Sequence, residues 1–94
     1  RVEAEKHELP TERLDLAALV ERAARDAAGS HRADRLELDL AAQPWVLGDR
    51  QQLEQVVRNL VDNALKYGAP DTPVRVALDL AQGEQARIAV TDQG

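Results

Sequence analysis

The stretch that most constrains the fold is residues 49–68, DRQQLEQVVRNLVDNALKYG, whose apolar residues follow the period of an α-helix. Asp49 can accept hydrogen bonds from the free amides of a first helical turn, and Gln52 completes a capping-box pattern. Gly68 suits a left-handed C-terminal cap, and Pro70 follows it. One face of this helix is predicted to be core, and its residues are Leu53, Val56, Val57, Leu60, Val61, Ala64 and Leu65.

Two amides and an ammonium lie together on one flank of this predicted helix. At ~100° per residue, Asn59, Asn63 and Lys66 fall within roughly 60° of one another. Asparagine is a poor helix former because its side chain competes for backbone hydrogen bonds, so two of them one turn apart need an explanation. Two interpretations are open from these residues alone: ordinary exposed amides or loop caps, and the border of a ligand-binding cleft.

The composition excludes several kinds of site. The 94 residues suffice for one small domain, and without cysteine there is neither a disulfide framework nor a thiolate metal site. Two histidines also argue against a zinc centre, and a net charge of −5 argues against nucleic acid, which needs a basic stripe. Because Phe is absent, the core is expected to be aliphatic.

The chain has no obvious targeting segment. No apolar run approaches the ~20 residues of a membrane span, and the N-terminus has neither an initiator Met nor the organisation of a signal peptide. We therefore expect an excised part of a longer protein. Residues 1–8 are charged and lack a sustained apolar face, which is typical of a linker or of the frayed end of a preceding helix.

The remaining segments alternate between strand and helix patterns. Residues 12–15 favour a short edge strand, whose last residue can cap a helix over residues 16–28 that ends at residues 29–30. Trp45 is predicted to be a core anchor in a later strand. Four more strands are predicted, two of them from alternating apolar residues at 36–40 and 74–80, and the last two are joined by a turn at Gln82 and Gly83. They lie at residues 36–40, 45–47, 74–80 and 86–91.

The element order predicts the fold class. The predicted order is strand, helix, strand, strand, helix, strand, strand. The apolar faces of these elements are most simply buried in an α+β, two-layer α/β sandwich. The helices are then expected on one face of a mixed, mostly antiparallel sheet.

Two motifs resemble a known family. Residues 59–68, NLVDNALKYG, resemble the asparagine box of sensor histidine kinases, which has two Asn four apart, then Ala, then Lys and an aromatic residue. Residues 89–94, AVTDQG, resemble the start of that family's first glycine box, Asp-x-Gly-x-Gly. The motifs stand in the family's order with two predicted strands between them. The resemblance covers residues 14–94 and implies the Bergerat-type sandwich shared with gyrase, chaperone and mismatch-repair ATPases.

The resemblance implies an ATP site with Mg²⁺ between the asparagine-box helix and the glycine-box loop. Asn63 matches the Mg²⁺ ligand, and Asn59 is expected to support the ion or its waters, since a hard cation takes oxygen ligands. Lys66 is expected to reach a phosphate as a compact charge. Tyr67 is expected to pack against adenine or ribose, although it can also be merely the packing end of the helix.

The resemblance also implies how the base is recognised. Asp92 matches the carboxylate that accepts from the adenine amino group, where guanine presents an acceptor instead. A simple turn residue before Gly94 is the alternative for Asp92. Gly94 is expected to let the loop backbone approach the ligand.

Asn59 bears on the reaction that the resemblance implies. ATPases of the superfamily have a Glu at this position to activate water, and Asn cannot take a proton. Phosphoryl transfer is therefore favoured over hydrolysis, with the γ-phosphate passing to a histidine of a separate dimerisation domain and then to a response regulator. No residue of this chain is assigned a catalytic role.

The two histidines are not expected to be phosphoacceptors. His7, Glu8 and Leu9 resemble the start of the family's phosphoacceptor motif, but Pro10 and Glu12 depart from it. His31 is expected to be an ordinary surface residue.

The resemblance further implies a domain division. Residues 1–10 would link to a preceding dimerisation helix, and residues 11–94 would be the first part of the ATP-binding domain, with the sheet incomplete at its C-terminus. The parent protein is expected to be a membrane-anchored homodimer with this domain in the cytoplasm, and the chain is expected to be inactive alone. Two alternatives are a serine kinase and regulator of the anti-sigma type, and a non-catalytic scaffold domain.

Overall fold

The elements follow one another in the predicted order. The computed structural model describes residues 11–81 and 85–93, so the predicted linker 1–10 with His7, the turn at 82–83 and Gly94 lie outside the described residues. A short 3-10 turn, Ala33–Arg35, separates the first helix from the second strand. The elements are β1 Glu12–Asp15, α1 Leu16–Arg32, β2 Leu36–Asp39, β3 Trp45–Gly48, α2 Arg50–Tyr67, β4 Val74–Ala81 and β5 Gln85–Thr91.

The strands form two sheets. β1 pairs antiparallel with β3, with Leu14 opposite Val46. The second sheet has the order β2, β4, β5, in which β2 is parallel to β4 and β4 is antiparallel to β5. β2 and β4 run parallel because β3 and α2 lie between them in the chain and provide the crossover that a parallel pair requires. The α+β class with mixed, mostly antiparallel pairing is confirmed, but the strands are divided between two sheets.

The core is aliphatic, as its composition predicts. It lies where α1 and α2 pack against each other and against the three-stranded sheet. Burial of such side chains removes apolar surface from water and contributes most of the stability of a small domain. The largest fully buried side chains are Leu14, Val20, Val57, Val61, Val74, Val76 and Leu78.

Helix α1 begins and ends close to where the sequence predicts. The Asp15 carboxylate accepts from the amide of Ala18 at 3.3 Å, which is an N-cap. At Gly29 the helical backbone is interrupted by φ +66° and ψ −174°, a conformation open essentially to glycine. The chain then makes one further helical turn to Arg32 instead of leaving the helix at residues 29–30.

Helix α2 buries a narrower stripe than predicted. Its N-cap is Asp49, whose carboxylate accepts from the amide of Gln51 at 3.0 Å. Val57 is fully buried, whereas Val56 is 53% exposed and Leu60 is 44% exposed. The prediction that Val56 and Leu60 belong to the core is therefore wrong. The buried apolar residues of α2 face α1. Among the described residues, nothing covers the edge of the apolar stripe that carries Val56 and Leu60.

Trp45 is not a core anchor. It is 58% exposed, and the Arg13 guanidinium lies over its ring, 5.0 Å from the centroid. Residues alternate between the two faces of a strand, and in β3 Val46 packs against the core while Trp45 takes the outer face. The indole and the guanidinium there form a cation–π contact of the sheet surface.

Candidate functional site

The predicted amide pair is exposed on α2. Asn59 and Asn63 both face solvent, and neither side chain has a hydrogen-bond partner within residues 11–81 and 85–93. They therefore do not cap any loop in that part of the chain. Two free carboxamides one turn apart on a helix surface are available for a ligand.

An exposed apolar strip runs beside the amides. Val56, Leu60 and Tyr67 are exposed, Tyr67 to 74%. At ~100° per residue these three side chains project within about 40° of one another, next to Asn63. Sequence reasoning assigned Val56 and Leu60 to the core because their spacing fits the helical face, and spacing alone does not show which edge of that face is covered. The same helix surface thus offers amides and an apolar strip.

Lys66 lies on the amide side of α2 and is held by an ion pair within the helix. Its Nζ lies 3.8 Å from the Asp62 carboxylate, and Asp62 also meets the Arg32 guanidinium at 3.4 Å. The Lys66 side chain is more than half exposed, so solvent screens this pair and its contribution to stability is small. The ammonium is accordingly available to an anionic ligand.

The end of β5 meets the end of α2. A Cβ built on Gly68 would lie 3.0 Å from the Cβ of Asp92. The Ala69 amide donates to the Gln93 carbonyl at 2.7 Å, which links the two segments through their backbones. Asp92 is therefore brought against the helix that carries Asn59 and Asn63, although the two motifs are far apart in the chain.

The backbone of Gly68 differs from the prediction. Its φ of −71° and ψ of 162° are extended, so the left-handed cap expected there is wrong. Its amide still donates to the Ala64 carbonyl at 2.9 Å and closes the last turn of the helix. Extended backbone is open to every residue type, so the glycine at this position has another cause, namely the close approach of Asp92 and of the Ala64 carbonyl.

Arg35 supports the loop that carries Gly68, and sequence reasoning missed it. Its guanidinium donates to the carbonyls of Leu65 at 2.9 Å, Ala69 at 3.0 Å and Thr72 at 2.8 Å. The last carbonyls of a helix lack partners within the helix, and a cation there is favourable. An arginine in a short polar connection carries no local signal for this role, which depends on contacts with residues 30 to 37 positions away.

The donor set fits a hard cation that keeps most of its waters. Among the described residues, no group of three or more His, Cys, Asp or Glu is arranged to hold a metal ion. The carboxamide oxygens of Asn59 and Asn63 are free of competing partners there, and Mg²⁺ is commonly bound through few protein oxygens together with substrate phosphates. Asn63 and Asn59 are thus suitable ligands for such a cation, and their carboxamide oxygens bring no negative charge to the site.

The remaining surface features lie away from these residues. An open groove of about 430 Å³ is lined by none of the predicted site residues. His31 is exposed, as expected for an ordinary surface histidine. The groove is lined by Leu16, Val46, Leu47, Leu53, Gln85, Ala86 and Ile88.

Neither helix of the described chain is both long and apolar enough to cross a membrane.

Comparisons with known proteins agree with the two motifs. Residues 48–94 match the family described as histidine kinase-, DNA gyrase B-, and HSP90-like ATPase. Over 96 aligned positions the chain is 36% identical to the sensor histidine kinase TrcS of Mycobacterium tuberculosis, covering 97% of this chain and 19% of that protein. Over 84 positions it is 36% identical to the signal transduction histidine-protein kinase/phosphatase MprB of Mycolicibacterium smegmatis. That alignment covers 88% of this chain and 17% of the relative.

A solved structure shares the fold. The structure described as mycobacterial sensor histidine kinase MprB has a TM-score of 0.76 to this chain at 28% identity, covering 90% of this chain and 56% of that one. The chain spans about a fifth of the length of its curated relatives. Both motifs lie within the matched residues 48–94. The chain therefore belongs to the histidine kinase-, DNA gyrase B-, and HSP90-like ATPase family, and its resemblance to sensor histidine kinases is confirmed.

Proposed function

We propose that this chain is the ATP-binding part of a protein histidine kinase. The reaction is transfer of the γ-phosphate of ATP to a histidine of a separate dimerisation domain, from which it passes to a response regulator. The observation that carries the proposal is the approach of Asp92 to Gly68, at the end of the helix that bears Asn59 and Asn63. Membership of the ATPase family supports it.

The adenine end of the nucleotide would lie at the junction of α2 and β5. Asp92 would accept a hydrogen bond from the adenine amino group, a charge-assisted bond that guanine cannot form. Tyr67, the exposed residue before Gly68, offers apolar surface for the flat base. Gly94, beyond the described residues, would let the loop backbone approach the nucleotide.

The phosphates would lie along the amide side of α2. Mg²⁺, when bound, neutralises charge on the phosphate oxygens. Asn63 would hold it through its carboxamide oxygen, with Asn59 supporting it directly or through water. The exposed Lys66 would leave its screened pair with Asp62 for a phosphate oxygen.

Phosphoryl transfer is favoured over hydrolysis because the Asn59 side chain cannot accept a proton from water. A carboxamide has no proton affinity near neutral pH and cannot serve as a general base for water. The chain's own residues would therefore bind and orient the nucleotide, while the attacking histidine is supplied by the dimerisation domain.

The partners follow from the same proposal. Residues 1–10 would connect to the dimerisation domain, and residues 11–94 would form the first part of the ATP-binding domain. The parent protein would be a membrane-anchored homodimer with this domain in the cytoplasm. The names of the curated relatives, a sensor histidine kinase and a signal transduction histidine-protein kinase/phosphatase, support the proposed kinase activity.

Isothermal titration of a non-hydrolysable ATP analogue, with and without Mg²⁺, tests the proposal in the full natural chain that carries residues 1–94. Asn63→Ala removes the proposed ligand oxygen, and Gln51→Ala removes an exposed amide at the opposite end of α2 as a matched control. We expect Mg²⁺-dependent binding that Gln51→Ala leaves unchanged and that Asn63→Ala weakens by about tenfold or more, equivalent to ~1.4 kcal/mol.

Equal binding by Asn63→Ala and the unsubstituted protein would refute the proposed metal ligand. If the correctly folded natural chain binds no nucleotide under either condition, the scaffold alternative replaces the kinase.

A further inference from the structure

Gly68 occupies a position at which the backbone does not require glycine. Its φ of −71° and ψ of 162° are accessible to any residue. The requirement is spatial, because a Cβ at this position would lie 2.6 Å from the Ala64 carbonyl oxygen and 3.0 Å from the Asp92 Cβ. The first distance is far inside van der Waals contact, so a methyl group there must displace one of its neighbours.

The surrounding bonds determine which neighbour moves. The Ala64 carbonyl is in the last turn of α2, where it accepts from the Gly68 amide. On the other side of the loop, the Arg35 guanidinium holds the carbonyls of Leu65 and Ala69. The loop is therefore restrained on two sides, whereas Asp92 is exposed and lies just after the end of β5. A shift of Asp92 relieves the 3.0 Å contact of an added methyl group, whereas the 2.6 Å contact with the Ala64 carbonyl requires the backbone of residue 68 to move. Movement of that backbone also displaces the Ala69 amide, which donates to Gln93, so both adjustments move Asp92 relative to the end of α2.

We propose that Gly68 is a positioning residue for recognition of the adenine base. By lacking a side chain it allows Asp92 to approach the end of α2, and the bond from the Ala69 amide to the Gln93 carbonyl maintains that approach. This inference rests on the proposed function, in which Asp92 accepts from the adenine amino group. Gly68 itself contacts no ligand and acts through the location of the Asp92 carboxylate.

A purely structural role for Gly68 makes a different prediction. If the glycine served only to close the helix end, its replacement would weaken all nucleotides to the same extent. If it positions Asp92, its replacement weakens only nucleotides that carry the amino group. The ratio of affinities for ATP and for purine riboside triphosphate, which lacks that group, separates the two roles.

The experiment measures this ratio by titration in the full natural chain. The variants are Gly68→Ala, Asp92→Asn and the double variant, and thermal unfolding verifies that each is folded. Gly48→Ala is the matched control, because its added Cβ would also approach a neighbour at 3.0 Å, there the flexible end of Leu53 in a different part of the fold.

We expect Asp92→Asn to lower the preference for ATP by about tenfold or more, since it weakens a charge-assisted bond. Gly68→Ala is expected to lower the same preference by a similar factor, and the double variant to lower it no further, because both changes remove one interaction. Gly48→Ala is expected to leave the ratio unchanged.

Ala69→Pro serves as an independent variant if Gly68→Ala does not fold. It removes the amide that donates to Gln93 and places the ring Cδ against the Gln93 carbonyl, so it separates the two segments without adding bulk at Gly68. The extended ψ of Gly68 suits a residue before proline. A loss of ATP preference in this variant supports the inference.

Two results would overturn the inference while the proposed function stands. The first is an equal loss of both nucleotides in Gly68→Ala, and the second is an unchanged ratio in Gly68→Ala when Asp92→Asn lowers it. A ratio that Asp92→Asn does not change, or absence of nucleotide binding by the unsubstituted protein, would overturn the proposed function together with this inference.

Discussion

The Nη1 of Arg35 donates to the main-chain carbonyl of Leu65 at 2.9 Å, so the last turn of α2 is closed by a side chain from the connection between α1 and β2. The same guanidinium also binds the carbonyls of Ala69 and Thr72. These carbonyls have no partner in regular secondary structure, and their pairing with a cation is stronger than a neutral hydrogen bond. The loop beside the candidate site is thus held by a residue that lies outside both motifs.

Arg35→Ala is expected to lower the free energy of unfolding by about 2–4 kcal/mol, because it leaves the part-buried carbonyls of Leu65 and Thr72 without their donor. It also removes one of the donors to the Ala69 carbonyl, which keeps its bonds from Thr72. Arg25→Ala is the control, since within residues 11–81 and 85–93 Arg25 makes only an exposed pair with Glu21 on α1, and its loss should cost less than about 1 kcal/mol. Urea denaturation of the full natural chain measures the free energy of unfolding of both variants. Equal decreases in the two variants would mean that the hydrogen bonds of Arg35 do not stabilise the loop.

The neighbours Val56 and Val57 allow one substitution to be compared at an exposed and a buried site. Val57→Ala is expected to cost about 2 kcal/mol, because it leaves a cavity in the core, whereas Val56→Ala is expected to change stability by less than about 0.5 kcal/mol. Thermal or urea unfolding measures the difference. A large loss in Val56→Ala would show that this edge of α2 is covered in the natural protein.

Lys66→Gln is expected to weaken ATP binding by about three- to tenfold and to reduce the salt dependence of binding, because a charge next to the phosphates is lost. Arg58→Gln is a matched control, since Arg58 makes an equivalent pair with Glu54 at 3.8 Å on the same helix. At ~100° per residue it projects away from the amides. Titrations at two salt concentrations check both variants, and similar losses would point to a general effect of net charge instead of a local contact.

The order of elements could be predicted because it depends on local patterns. The spacing of apolar residues, the carboxylates of Asp15 and Asp49 and the interruption at Gly29 are each contained in a few consecutive residues, and the structure has a cap or a break at all three. Predictions that depended on neighbours from other elements were less successful. Val56 and Trp45 have the apolar character of core residues but lie on edges that the described part of the chain leaves open.

By itself the sequence determined the sandwich-type fold class, the two helices with their N-caps, and the motifs that identify the family, because periodicity, capping and motif spacing are properties of contiguous residues. Only the tertiary structure decided which edge of α2 is buried, that the strands divide into two sheets, and that Arg35 closes the helix end. It also decided why residue 68 is glycine. That reason is the close approach of Asp92 and a carbonyl oxygen, which depends on how the end of β5 meets the end of α2 and cannot be read from either segment alone.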